Sequence, residues 1–170
     1  MNVQLLPFTR RSSLLPEAVN VYTRVWSRNT ADSLTFFHNY AEHNHFYGVV
    51  AVARSQVVGM AFGTESVSGM WWHDKVAQHV NPQHPVLQNA WVLTELAVLE
   101  GYRNWGIGSK LLARVILEQP FPNALLSTQC HNQAAQRFYQ RHGWDYLHRG
   151  FAFHRGHDPY VIMYHQTDVG

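Results

Sequence analysis

Apolar and polar positions divide the chain into alternating strand-like and helix-like stretches, with no internal repeat or low-complexity tract. VQLLPF near the start is short and apolar and reads as a strand. From Pro16, a residue suited to a first helical turn, Val19, Tyr22, Val25 and Trp26 recur at helical spacing. Thr30 is placed to cap a second helix in which Leu34, Phe37, His38 and Ala41 share a face. FYGVVAVA and VVGMAFGT are β-rich runs separated by Arg54, Ser55 and Gln56, the pattern of an antiparallel hairpin.

Glu65 to Gln88 loses this regularity and carries Trp71, Trp72, His73, Asp74, His79, His84 and two prolines, so it is expected to be a long loop or excursion. WVLTELAVL is nearly continuous in apolar residues, as a strand covered on both faces should be. A helix from about Trp105 to Gln119 follows, with Ile107, Leu111, Leu112, Val115 and Ile116 on one side. NALLSTQ gives another strand, and NQAAQRFYQRH a helix with Gly143 where a C-terminal cap prefers glycine. WDYLHRGFAF and PYVIMYHQ, joined across HRGHD, close the sequence as a hairpin. The expected order is one strand, two helices, three strands, a helix, a strand, a helix and two strands: a mixed sheet with helices on both faces.

Composition narrows the class. With 170 residues and 46% hydrophobic content, a single domain over 1–170 can bury a core without disulfides or metal. The one cysteine, Cys130, excludes an internal disulfide framework and suits a reducing compartment, with the cytoplasm as the default expectation. No run approaches a membrane span, and MNVQLLPFTRRSS lacks the order of a signal peptide, so neither membrane nor export is expected. The net charge of +2 is dispersed and Arg10–Arg11 is the only basic pair, which argues against nucleic acid as a partner. Twelve histidines would raise the charge near pH 6. His38, His43 and His45 do not fall on one helical face, and no paired His or Cys motif supports a metal.

The chemistry-bearing stretch is RNWGIG, Arg103 to Gly108, between the apolar run and the helix after it. First-turn amides of a helix lack internal partners and lie at the positive end of its dipole, so anionic oxygens are favoured there. Gly106 and Gly108 lack side chains that would hold a phosphate away; Arg103 adds charge and Ser109 a hydroxyl. The dinucleotide fingerprint would need a glycine where Leu111 stands, and the P-loop would need lysine directly after glycine, so neither motif is met.

With CHNQAAQRFYQRHGW downstream, ELAVLEGYRNWGIGSKLL resembles the GCN5-related N-acetyltransferase (GNAT) family. Arg103, Gly106 and Gly108 match its first motif; Asn132, Ala135, Phe138, Tyr139, Gly143 and Trp144 match its second. The resemblance implies a GNAT-like acyl-CoA acyltransferase fold, an α/β (α+β) architecture with a mixed, mostly antiparallel central sheet. It further implies acetyl-coenzyme A as co-substrate, no metal, and transfer of acetyl to an amine in a ternary complex. By position in the family pattern, the backbone of Leu96, Ala97 and Val98 pairs with the pantetheine amides. In the same way the amides of Asn104, Trp105, Gly106, Ile107, Gly108 and Ser109 hold the diphosphate, Asn132 bonds the pantetheine arm, and Tyr139 stands at the thioester sulfur as general acid.

The position aligned with a carboxylate base in some members is Val92, a departure; Glu95 is the nearest carboxylate on the strand, and its burial in an apolar run needs a polar cavity or a partner. Trp71 and Trp72, with His73 and Asp74, could wall an acceptor site or pack in a hairpin or against another subunit. Cys130 reads as a bystander thiol. The expected acceptor is a small-molecule amine, and a homodimer is compatible with the sequence. The rival readings are an acyl-CoA sensor without turnover and an acetyltransferase of protein N-termini or lysines.

Overall fold

A computed structural model describes residues 1–167. The elements run β1 (Val3–Phe8), α1 (Leu14–Trp26), α2 (Thr30–Tyr40), β2 (Tyr47–Ala53), β3 (Gln56–Ser66), α3 (Trp71–His79), β4 (Ala90–Val98), α4 (Ile107–Glu118), β5 (Asn123–Gln129), α5 (Gln133–Arg141), β6 (Asp145–Phe151) and β7 (Tyr160–Gln166). The strands form one mixed sheet in the order β1-β2-β3-β4-β5-β7-β6. β4 and β5 pair in parallel, while β1 with β2, β2 with β3, β5 with β7 and β6 with β7 pair antiparallel.

Two compact units share the chain: residues 1–64 with 93–119, and residues 65–92 with 120–170. In the first, β2 and β3 are joined by a turn in which Arg54 and Ser55 both hold positive φ, 52° and 62°. That is the backbone a two-residue hairpin requires, reached here without glycine. Gly48 faces Phe8 across the strand pair, and a Cβ at 48 would lie 2.6 Å from ring carbons, so only glycine admits the Phe8 ring. α2 is capped by Asn29, whose side chain accepts from the Asp32 amide at 3.0 Å, rather than by Thr30 as the pattern suggested. Asn precedes the first helical residue and competes better for the cap. Behind this start, Tyr22, Phe36, Phe37, Tyr40, Phe46 and Phe62 pack ring to ring, fastening α1 and α2 to β3.

The second unit corrects the expected excursion over 65–88. Trp71–His79 is the helix α3, followed by a single 3-10 turn at Pro85–Leu87. The apolar periodicity of α3 is short, because beside Val76 and Ala77 its third buried position is filled by the amphipathic His73. His73 is buried and satisfies Nδ1 against Ser66 Oγ at 2.9 Å. Val76 and Ala77 enter a core with Val86, Leu87, Ala90, Leu125, Phe151 and Ile162, and His79 stacks on Phe151 at 3.9 Å. Asp74 reaches back to the Gly69 amide, satisfying a donor next to a cap residue, Met70, that has no polar side chain.

α5 ends as the sequence suggests. Gly143 holds φ +87°, its amide bonds the Gln140 carbonyl, and the Trp144 amide bonds that of Tyr139. These two bonds make a Schellman cap, which needs the left-handed residue that glycine supplies.

Candidate active site

α4 begins at Ile107, two residues later than the pattern placed it, with Gly106 as its N-cap at φ +78° and Asn104 also left-handed at φ +66°. The Lys110 amide is the first to bond back within the helix, to the Gly106 carbonyl at 3.1 Å. The amides of Ile107 and Gly108 therefore open the helix at its positive end, one residue after the Gly106 cap. A Cβ built on Gly106 would meet nothing within 4 Å, so space stands open before that turn. The donor set and the room fit the diphosphate of acetyl-coenzyme A.

Arg103 does not simply add charge to this mouth. Its Nε donates to the Val98 carbonyl at 3.0 Å, folding the guanidinium onto the end of β4 and fixing the turn between strand and helix. Leu96 is half-buried, and Ala97 and Val98 are buried. The Leu99 amide bonds Val58 at 2.8 Å, tying the end of β4 to β3.

Glu95, also in the first unit, is half-buried with its carboxyl end enclosed. Burial pushes that carboxyl up to about 8, and the Arg28 guanidinium opposes the shift. Tyr40, at the end of α2, is raised chiefly by burial and secondarily by the Glu95 charge. The polar neighbours that a carboxylate in an apolar strand requires are thus Arg28 and Tyr40. Neither was singled out from sequence, because both lie more than 50 residues upstream and no local motif links them to β4.

In the second unit, Asn132 is the N-cap of α5: Oδ1 accepts from the Ala135 amide at 3.1 Å, which leaves the side-chain amide donors for a ligand carbonyl. Tyr139 is buried on the same helix, its ring against Phe138 and Trp144. Gln136, missed in the sequence, donates to the carbonyls of Gln129 and Cys130 and accepts from the Tyr146 hydroxyl at 2.8 Å, so it clamps the β5–α5 turn from which Asn132 projects. Cys130 is half-buried, with Sγ 3.5 Å from the Arg149 carbonyl.

The two tryptophans separate. Trp72 donates Nε1 to Ser127 Oγ at 3.1 Å and anchors α3 on β5, whereas Trp71 is 52% exposed, stacks on His154 and packs at a tilt against Phe153. Burial holds the His73 imidazole below its ordinary range, against the opposing influence of Asp74 and Ser66. Among the described residues no group of three or more His, Cys, Asp or Glu side chains converges on a metal-sized space, and no helix is long and apolar enough to cross a membrane.

Known proteins bear on this arrangement. The fold matches that of a GNAT acetyltransferase from Bacillus cereus ATCC 10987 at 14% identity, with 98% of each chain covered and a TM-score of 0.71. It matches aminoglycoside 6'-acetyltransferase type Ii at 18% identity, 96% of each chain and a TM-score of 0.69. It also matches yncA from Salmonella typhimurium, a structure with its cofactor acetyl-CoA, at 15% identity, 100% of this chain, 96% of that one and a TM-score of 0.69. No curated protein matches the sequence. The model of the family described as Acetyltransferase (GNAT) family matches residues 12–144, well over half of the chain. The chain belongs to the GNAT acetyltransferase family.

Proposed function

We propose that this protein is an N-acetyltransferase that moves acetyl from acetyl-coenzyme A to the primary amine of a small molecule, acting as one cytoplasmic domain. The observation that carries the reading is the open first turn of α4, where Gly106 leaves room before a helix whose leading amides, Ile107 and Gly108, lie at its positive end. A diphosphate held there places the remainder of the co-substrate along the end of β4, where the family pattern assigns Leu96, Ala97 and Val98 to the pantetheine amides. The co-substrate supplies an activated acyl group on a thiol leaving group; the chain must bind it, bring a neutral amine to it and manage two protons.

Glu95 is suited to the first proton. An alkylammonium has a pKa of about 10.4, so a carboxylate with a pKa near 4 is a poor acceptor for its proton, while one raised to about 8 is much better matched. The family pattern puts Tyr139 at the sulfur, where a phenol can donate to the departing thiolate. Asn132 keeps its amide donors for the pantetheine arm while capping α5. Trp71, exposed and flanked by Phe153 and His154, offers an aromatic wall for the acceptor, and Trp72 holds that wall in place.

The test is release of free thiol from acetyl-coenzyme A in the presence of a panel of small amines, with the acetylated amine identified by mass. Amine-dependent thiol release is the expected result. Tight binding of the co-substrate with no thiol release for any acceptor would identify a sensor instead, and turnover confined to peptides would move the acceptor class to protein amines.

A further inference from the structure

A depression of about 520 Å³ lies between the last turn of α1 and the turn that follows β4, lined by Arg24, Val25, Gln56, Leu99, Glu100, Gly101, Tyr102 and Arg103. Its polar groups are mainly donors. Arg24 has no hydrogen-bond or ion-pair partner among the described residues. Arg103 spends Nε on the Val98 carbonyl, leaving both terminal nitrogens unengaged. The Tyr102 hydroxyl donates to Gln56 Oε1 at 3.2 Å, so the Gln56 side-chain amide is fixed with its nitrogen unengaged. The one acid on the rim, Glu100, forms no ion pair with either arginine, and the rim carries a net positive charge. Leu99, buried beneath it, gives the floor an apolar patch.

We propose that this depression is an oxyanion site, taking a carboxylate or phosphate group between Arg24 and Arg103. Guanidinium groups present planar pairs of donors that match two oxygens of such a group, and one anion meets both arginines at once. The site is separate from the open turn of α4, which lies past Asn104 and offers backbone amides rather than guanidinium groups. Its ligand is either an acid group carried by the amine acceptor or a free anion. The inference does not depend on acetyl transfer, because it concerns binding by the protein alone.

Inorganic phosphate titrated into the protein by calorimetry is the direct probe, with R24Q and R24K as variants at an exposed helix position. Saturable binding is expected, weakened at least about tenfold in R24Q and largely restored in R24K, with coenzyme A affinity within about twofold of the parent in both. Saturating coenzyme A should leave phosphate binding in place. No saturable binding, an unaltered R24Q, or displacement of phosphate by coenzyme A would each overturn the proposal. Comparing amines with and without a terminal acid separates the sources. A KM rise in R24Q confined to the acid-bearing amine assigns the site to the acceptor, and phosphate binding without that discrimination assigns it to a free anion.

Discussion

At the scale of single residues, the groups that matter are those whose surroundings change their chemistry. Glu95 is one. With its carboxyl raised to about 8, only about a tenth is ionised at pH 7. If the ionised form takes the proton from the amine, kcat/KM rises with pH and levels off above about 8, and E95Q loses both the rise and most of the rate. A pH–rate profile of the two proteins checks this; an unchanged profile in E95Q would assign the proton to a water relay. Tyr139→Phe removes only the hydroxyl from a ring held by Phe138 and Trp144. Turnover should fall by about 10²-fold or more while coenzyme A affinity changes little. Ser66 and His73 show the structural side of the same rule. Both are buried, and Ser66→Ala would leave a ring nitrogen without its 2.9 Å partner, costing about 1–3 kcal/mol in urea unfolding.

Among the elements, those with strong apolar periodicity were legible and those whose buried faces are polar were not. β4 and α4 follow their patterns because Leu93, Ala97, Leu111 and Val115 fill buried positions with plain hydrocarbon. α3 reads as an excursion in the sequence because its buried face holds only Val76 and Ala77 beside His73, with half-buried Trp72 anchored through a hydrogen bond that only the fold supplies. At the start of α5 one residue caps the helix and, under the proposed function, also meets the ligand. Asn132 stands out in the sequence as a candidate site residue through its motif, while its cap role does not, since Oδ1 caps only once the helix exists. Asn132→Asp keeps a capping oxygen and loses the amide donors; Asn132→Ala loses both. Thermal unfolding should therefore fall by about 1 kcal/mol in the alanine variant and hardly at all in the aspartate variant. Coenzyme A affinity should fall in both. A drop in stability without a drop in affinity would make Asn132 a cap alone.

Across the whole molecule, the hairpins at β2–β3 and β6–β7 follow from the sequence pattern because they are local, whereas the insertion of β7 between β5 and β6 and the parallel β4–β5 pair that makes the sheet mixed are long-range and come only with the fold. The surroundings of Glu95 are not legible in the sequence, because Arg28 and the phenol of Tyr40 come near it through the fold rather than through neighbouring sequence. The burial of Glu95 has a consequence for global stability. Glu95 keeps its proton in the folded protein up to about pH 8, whereas an ordinary glutamate releases it near 4.5. Between those values the folded state binds more protons than the unfolded one, so stability from this residue is full below 4.5 and declines as pH rises toward 8. His73 acts in the opposite direction: held below its ordinary 6.5, it stays neutral when folded, so its share is lost as pH falls below 6.5. At pH 6.5 the unfolded His73 is still half protonated and its slope fades only toward about pH 7.5, but E95Q keeps His73, so the difference between the two proteins isolates the Glu95 slope. Urea midpoints taken from pH 6.5 to 8 should decline in the parent protein and be flatter in E95Q, whose amide has no proton to lose. Parallel declines in the two proteins would mean that the Glu95 carboxyl is solvated in solution, and with it would go the case for this residue as a base matched to an amine.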